Sequence, residues 1–499
     1  MNIRLPLAGI CVAALVALPL PAQEAFTSVQ SRVSEFTLAN GLKFLVMERH
    51  QAPVVSFYTY ADVGSAQEVK GITGLAHMFE HMAFKGTDKI GTKNYAEEKL
   101  SLDRVDQAFV ALQKEKSKLG GPDKAALEKL QKEFDAAQEG AAKFVVSNEF
   151  SQIIDAAGGR GLNATTAADR TDYFYSLPSN ALELWFYLES ERFLNPVLRD
   201  FYKEAGVVRE ERRMRTENNP IGKLLEEFKA VAYKAHPYGE PEVGHMSDLE
   251  SFTRMDAEEF FRKYYGPSNL TIAVVGDVDP KRVKQLAESY FGRLQPREKP
   301  MPLRTMEPEQ TVERSVTVRA QAQRIIVIGY HKPSITHPDH AVYEAISSLL
   351  SAGRSSRMHE SLVTKKKVAV QAGGFPGFPG EKYPGLFLFF AVTAPGKTNE
   401  DAEKEMMVEI NRLKDDLPSK EELEGVKNRA RAGLLSRMSN NSNMAQSLVH
   451  WQALTGDWRN LFKYLDRINA VTPEDVQRVA KATFTESNRT TGYLEPAPK

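Results

Sequence analysis

The sequence predicts an α+β protein of two homologous lobes, each a mainly antiparallel sheet packed with helices, and three observations carry that expectation. The first is a repeat. FTRMDAEEFFRKYYGPSNLTIAVVGDVDP, around Phe252, is echoed near the C-terminus by INAVTPEDVQRVAKATFTESNRTTGYLEP, each an acidic-capped helix, then Ser-Asn, then a strand. The second is strand chemistry: SEFTLANGLKFLVMERH and PVVSFYTYADVGS alternate β-branched and aromatic residues with polar ones, and the Asn40-Gly41 turn suits antiparallel pairing. The third is length, because 499 residues exceed what one core usually organises. The proline-rich stretch QPREKPMPLRTMEPEQ, about 296–310, divides a first lobe over 31–295 from a second over 311–495.

The elements follow in chain order. MNIRLPLAGICVAALVALPLPAQEAF places Arg4 before an apolar run that ends at prolines and the small residue Ala22, so residues 1–22 read as a cleavable signal peptide. A membrane anchor fits less well. The apolar part is shorter than the roughly 20 residues a spanning helix needs, and Pro6, Pro19 and Pro21 interrupt it. The expected location is the periplasm of a Gram-negative-type bacterium, with secretion as the alternative and no stable membrane anchor. Cys11, the single cysteine, lies in this segment, so a mature chain has only nitrogen and oxygen donors for a metal. Lys+Arg and Asp+Glu both number 65, which leaves no basic footprint for nucleic acid.

Beyond the first strands, a helix over about 74–85 sets Leu75, Phe79, Met82 and Ala83 at the spacing of a buried stripe. Residues 95–145 form an insertion read as a helical hairpin. Gly120-Gly121-Pro122 separates its two charged segments, and the alternating charges mark it as a solvated projection. In the second lobe, RIIVIGYHK and DHAVYEAISSLLS repeat the strand-then-helix order without a metal-binding pair.

The chemistry lies in His77-Met78-Phe79-Glu80-His81. Residues four apart on a helix stand one turn above each other, so both imidazoles can face one ion, with Glu80 beside them. A catalytic zinc takes three protein ligands and leaves a place for water, and a neighbouring carboxylate outside the ligand set can take that water's proton. The third ligand is sought in FYKEAGVVREERRMRTENNP, where Glu204, Val207, Val208 and Glu211 share one helical face and Glu210 is turned about 100° away. Glu211 is the chosen ligand. A purely structural zinc fits poorly, since such sites are usually closed by four protein donors and no fourth stands near the motif. His236, His245, His331, His337 and His340 read as surface or satisfied residues.

GITGLAHMFEHMAFKGT, GGRGLNATTAADRTDYFYSLP, VVREERRMRTENNP and NLTIAVVGDVDP together resemble the pitrilysin/insulinase (inverzincin) family of zinc metallopeptidases, over nearly the whole mature chain. The likeness is to its shorter, two-domain branch, which includes bacterial peptidases and the mitochondrial processing peptidase subunits. It implies two α/β-roll lobes, Zn2+ on His77, His81 and Glu211, catalysis by Glu80 and support from Glu204. It further implies that Asn163, Ala164 and Thr165 lie on an edge strand to which an extended peptide substrate adds. One departure matters. Where the family has an arginine and, seven residues later, a tyrosine that bind substrate, this chain has Val363 and Val370. The resemblance therefore implies a homologous partner subunit supplying that pair; the alternative is a non-catalytic peptide-binding or assembly protein.

Overall fold

The computed structural model describes residues 29–498, so the signal-peptide expectation and Cys11 lie outside the described residues. Two sheets organise the chain. The first has the order β1-β2-β6-β3-β5-β4, with β1 Val33–Thr37, β2 Lys43–Glu48, β3 Val54–Ala61, β4 Arg160–Thr166, β5 Thr171–Pro178 and β6 Leu270–Gly276. The second has the order β7-β11-β8-β10-β9, with β7 Arg314–Ala320, β8 Ile325–Lys332, β9 Ala369–Phe378, β10 Gly385–Thr393 and β11 Arg489–Pro496. Apart from the added edge strand β1, the orders are identical. In each, one parallel contact (β2 with β6, β7 with β11) accompanies otherwise antiparallel pairing, as expected for a duplicated α+β unit.

The helices that position the site are α1 Leu75–Met82, α2 Tyr95–Lys116, α3 Lys124–Ala142, α4 Phe201–Arg212, α5 Pro220–Ala232, α6 Arg254–Tyr264, α7 His340–Ser351, α8 Asn441–Thr455 and α9 Pro473–Thr483. The repeated units are α6 with β6 and α9 with β11. Both helices start from a capping box, Thr253 with Asp256 and Thr472 with Asp475, which satisfies backbone N–H groups that a helix start leaves unpaired.

The lobes exchange helices. One face of the first sheet buries Phe44, Phe57 and Val274 against its own helices, while Leu45, Tyr58, Ala273 and Val275 on the other face meet Met444, Leu448 and Trp451 of α8. Reciprocally, α5 of the first lobe lays Leu224, Phe228 and Ala232 against Val327, Leu388 and Leu494 of the second sheet. The close approach needs glycine at Gly329, where an added Cβ would stand 2.7 Å from the Phe228 ring.

The hairpin α2/α3 is more than a projection. Its Phe109 and Phe134 close around Tyr202 of α4, with ring centroids 4.2 and 5.6 Å away, and Asp106 accepts from the Tyr202 hydroxyl at 2.8 Å. Apolar residues at Leu102, Val105, Phe109 and Leu112 form the docked face that alternating charges on the other face obscure. Among the described residues, no helix is long and apolar enough to cross a membrane.

Candidate metal centre

Helix α1 begins at Gly74, whose left-handed φ of 95° sets the chain direction and which offers no capping side chain. Glu68 takes that role from six residues upstream: its carboxylate accepts from Gly74 N at 2.7 Å and Ala76 N at 2.6 Å. Burial pushes the Glu68 carboxyl up to about 8, and the two backbone bonds pull in the opposite direction. Asp248 secures the preceding turn, accepting from the Thr73 hydroxyl at 2.6 Å. With Leu75, Ala76, Met78, Phe79 and Met82 buried, α1 presents one remaining face.

That face carries His77 and His81, with ring centroids 4.9 Å apart. Glu211, 130 residues beyond His81, arrives from α4 with Oε2 at 3.1 Å from His81 Nε2 and 3.5 Å from His77 Nε2. Tetrahedral zinc with ligand bonds of about 2.0–2.1 Å holds its donors about 3.3 Å apart, so both separations from Glu211 suit one zinc ion, and the three donors lie within 4.8 Å of one another. Burial keeps His77 neutral, the form that ligates metal, and its Nδ1 is buried without a hydrogen-bond partner. Burial also disfavours protonation of His81, but the Glu204 and Glu211 carboxylates outweigh it and raise that affinity.

Glu204 stands two turns before Glu211 on the same helix. Its Oε2 lies 3.7 Å from His81 Nδ1 and its Oε1 2.5 Å from Lys85 Nζ, an outer contact of the kind that orients a ligating ring. Glu80, half-buried beside the pair, is not in the converging set. Burial raises its proton affinity, a Thr166 hydrogen bond opposes this, and Glu211 adds to the rise. Asn163, Ala164 and Thr165 lie on β4, which pairs with β5 and ends the sheet. Asn163 is exposed, Ala164 buried and Thr165 half-buried, and Thr166 donates to Ala76 O at 3.4 Å, tying the edge strand to α1.

Some expectations need correction. Val207 does not share the burial of Val208: it is 46% exposed against 0%, because the strip between Glu204 and Glu211 is the margin of the buried face and Val208 alone falls on its inner side. His236 and His340 are neither on the surface nor satisfied. Both are buried, His236 against Tyr233 and Tyr238 and His340 against Trp451 and Tyr464, and each keeps one ring nitrogen without a partner. The expectation that the second lobe lacks a metal-type pair also needs qualifying. His340 and Glu344 stand four apart on α7 and meet Glu381, with donor atoms within 4.8 Å of one another. Lys332 and Arg437 already supply positive charge there, so a divalent cation gains little. The pattern missed Glu68, whose distance from α1 fits no capping motif, and Arg215, whose Nη2 lies 2.7 Å from Glu211 Oε1. Val363 is half-buried beside the second core and Val370 is 52% exposed on β9.

Residues 43–110 match the family described as "Insulinase (Peptidase family M16)", and residues 251–430 match "Peptidase M16 inactive domain". The chain is 29% identical over 467 residues to the "Zinc protease PqqE" of Helicobacter pylori, covering 92% of each chain. It is 24% identical over 472 residues to the "Probable mitochondrial-processing peptidase subunit beta" of Schizosaccharomyces pombe, covering 91% of this chain and 89% of the other. The crystal structure of a protease from Helicobacter pylori superposes with a TM-score of 0.78 at 28% identity, over 93% of this chain and 99% of that one. Motif, duplicated sheets and relatives agree that the chain belongs to the insulinase family, peptidase family M16.

Proposed function

We propose that this chain is an exported zinc-dependent endopeptidase that hydrolyses peptides or unfolded segments, and the observation that carries the reading is the convergence of His77, His81 and Glu211, with Glu80 beside them and outside the converging set. Zinc on these three residues supplies Lewis acidity toward water and the scissile carbonyl. Glu80 takes the proton of the attacking water and returns it to the leaving amine, and burial, by raising its proton affinity, favours that role as a base. The β4 edge pairs with the extended substrate backbone, which recognises peptide chains with little regard to sequence. Glu204, held by Lys85, keeps the His81 ring in place.

Val363 and Val370 favour a further reading: a homologous partner subunit supplies the arginine and tyrosine that this chain lacks, and the halves close around the peptide. The same two valines are the support for the alternative, a peptide-binding or assembly protein without catalysis.

Metal analysis and peptide-library digestion read by mass spectrometry, with and without chelator, test the proposal. One zinc per chain is expected, with chelator-sensitive cleavage in the presence of an Arg/Tyr-bearing homologue. Glu80→Gln is expected to lower cleavage about 10²–10⁴-fold while leaving zinc and peptide binding intact. A wild-type chain without zinc, or a Glu80→Gln variant as active as wild type, sinks the peptidase reading. Full activity of the isolated chain sinks the partner.

A further inference from the structure

Glu211 reaches the imidazoles through Oε2 only, and its other oxygen, Oε1, is occupied by Arg215 Nη2 at 2.7 Å. Arg215 is not an ordinary member of the helix. After Arg212 the backbone widens into a π-turn, Arg213–Glu217, in which Asn218 N bonds Arg213 O at 2.7 Å. Such widened turns re-aim side chains and recur at functional sites.

The backbone of this turn is fixed from beneath. Gly222, near the start of α5, lies so close that an added Cβ would stand 1.9 Å from Arg215 O. Arg212 clamps the same junction, forking onto Glu226 at 3.0 and 2.8 Å and donating to Gly244 O at 2.6 Å. The far end of α5 is the part buried on the second sheet through Phe228. A continuous rigid path therefore runs from the second lobe through α5 and the π-turn to Arg215 and Glu211.

We infer that Arg215 is a positioning residue of the metal centre: it holds Oε1 of Glu211 so that Oε2 alone turns to His77 and His81, and the second lobe, through α5 and Gly222, holds Arg215. The inference rests on the zinc-peptidase reading. Glu211 is 15% exposed, and among the described residues its Oε1 has no other ion-pair or hydrogen-bond partner. Without the guanidinium the carboxylate is free to rotate, and its preference for one-oxygen ligation is lost. The contact is worth little as a surface ion pair, with Arg215 at 65% exposed; its value lies in orientation, because outer contacts to metal ligands tune affinity well beyond their own strength.

The test measures zinc affinity by competition with a chromogenic chelator, together with the visible absorption of the cobalt-loaded protein, for wild type, Arg215→Ala, Arg215→Lys and Gly222→Ala. Arg215→Ala is expected to bind zinc about 10–100-fold more weakly and to alter the cobalt bands. Arg215→Lys keeps the charge without the fork and is expected to recover part of the loss. Gly222→Ala, which touches no ligand, is expected to weaken zinc in the same direction. Equal melting temperatures of chelator-treated wild type and Arg215→Ala place the effect at the site. Wild-type affinity and spectrum in Arg215→Ala overturn the inference, as does a fall in chelated-state melting that accounts for the zinc loss. A wild-type chain that fails to bind zinc overturns instead the reading beneath it.

Discussion

The two lobes share a sheet order, apart from the added β1, a single parallel contact and a helix after the corresponding strand, α1 after β3 and α7 after β8, yet their chemistry differs. In the first lobe α1 offers two imidazoles to a carboxylate at 3.1 and 3.5 Å. In the second, α7 offers one imidazole and one carboxylate to Glu381, with Lys332 and Arg437 close enough to oppose the rise that burial gives the Glu344 proton affinity. A shared backbone thus places donor pairs one helical turn apart in both lobes. Whether an ion fits is decided by donor identity and by competing cations. The second lobe's contribution to the first is mechanical: it buries α5, which backs the Glu211 turn, and lends α8 to the outer face of the first sheet.

The largest effect expected from this comparison comes from breaking the exchange. Phe228 and Leu448 are fully buried at the two reciprocal contacts, so Phe228→Ala is expected to cost about 3–5 kcal/mol and Leu448→Ala about 2–5 kcal/mol. Because each helix is core for the other lobe, both variants are expected to shift one cooperative thermal transition. Two separated transitions in calorimetry, with the unmutated lobe unaffected, would show that the lobes fold independently and that the exchange is only surface contact.

A smaller effect distinguishes the starts of the two equivalent helices. Glu68 satisfies two N–H groups at the buried start of α1, and Glu68→Ala is expected to destabilise by about 1–3 kcal/mol in urea unfolding. Asp339 at the start of α7 makes no cap bond and pairs instead with Arg478, itself 55% exposed, so Asp339→Ala is expected to cost about 0–1 kcal/mol. Equal costs would mean that α1 is no more dependent on its cap than its counterpart.

Where structure could be read from sequence, the signal was local. The HxxEH pair needs only helical spacing. The hairpin break at Gly120-Gly121-Pro122 falls between Lys116 and Lys124, where α2 ends and α3 begins, with Asp123 as cap. Glu204 and Glu211 share a face for the same geometric reason, though their approach to α1 spans more than a hundred residues and no spacing rule contains it. The exchange of α5 and α8 was not legible, because an apolar stripe says that a helix is buried but not under which sheet. The same limit applies to His340, whose buried surroundings come from Trp451 and Tyr464, and to Arg215, whose aim depends on a π-turn seated on a glycine of the next helix.

The smallest predicted effect concerns protons in the second lobe's group. Burial, reinforced by Glu381, pushes the Glu344 carboxyl up to about 7, against about 4.3 for an unfolded chain. Between these values the folded protein keeps a proton that the unfolded chain has released, so unfolding loses a proton and this group's contribution to stability declines as pH rises. Above about 7 both states are ionised and the penalty is constant. Thermal melts of wild type and Glu344→Gln at pH 5 and pH 8 are therefore expected to show wild type losing ground to the variant on going to the higher pH. A difference independent of pH would mean that Glu344 is ionised in the fold at both values, held by Lys332 and Arg437, and that this group resembles a closed ion cluster more than an imperfect copy of the first lobe's metal site.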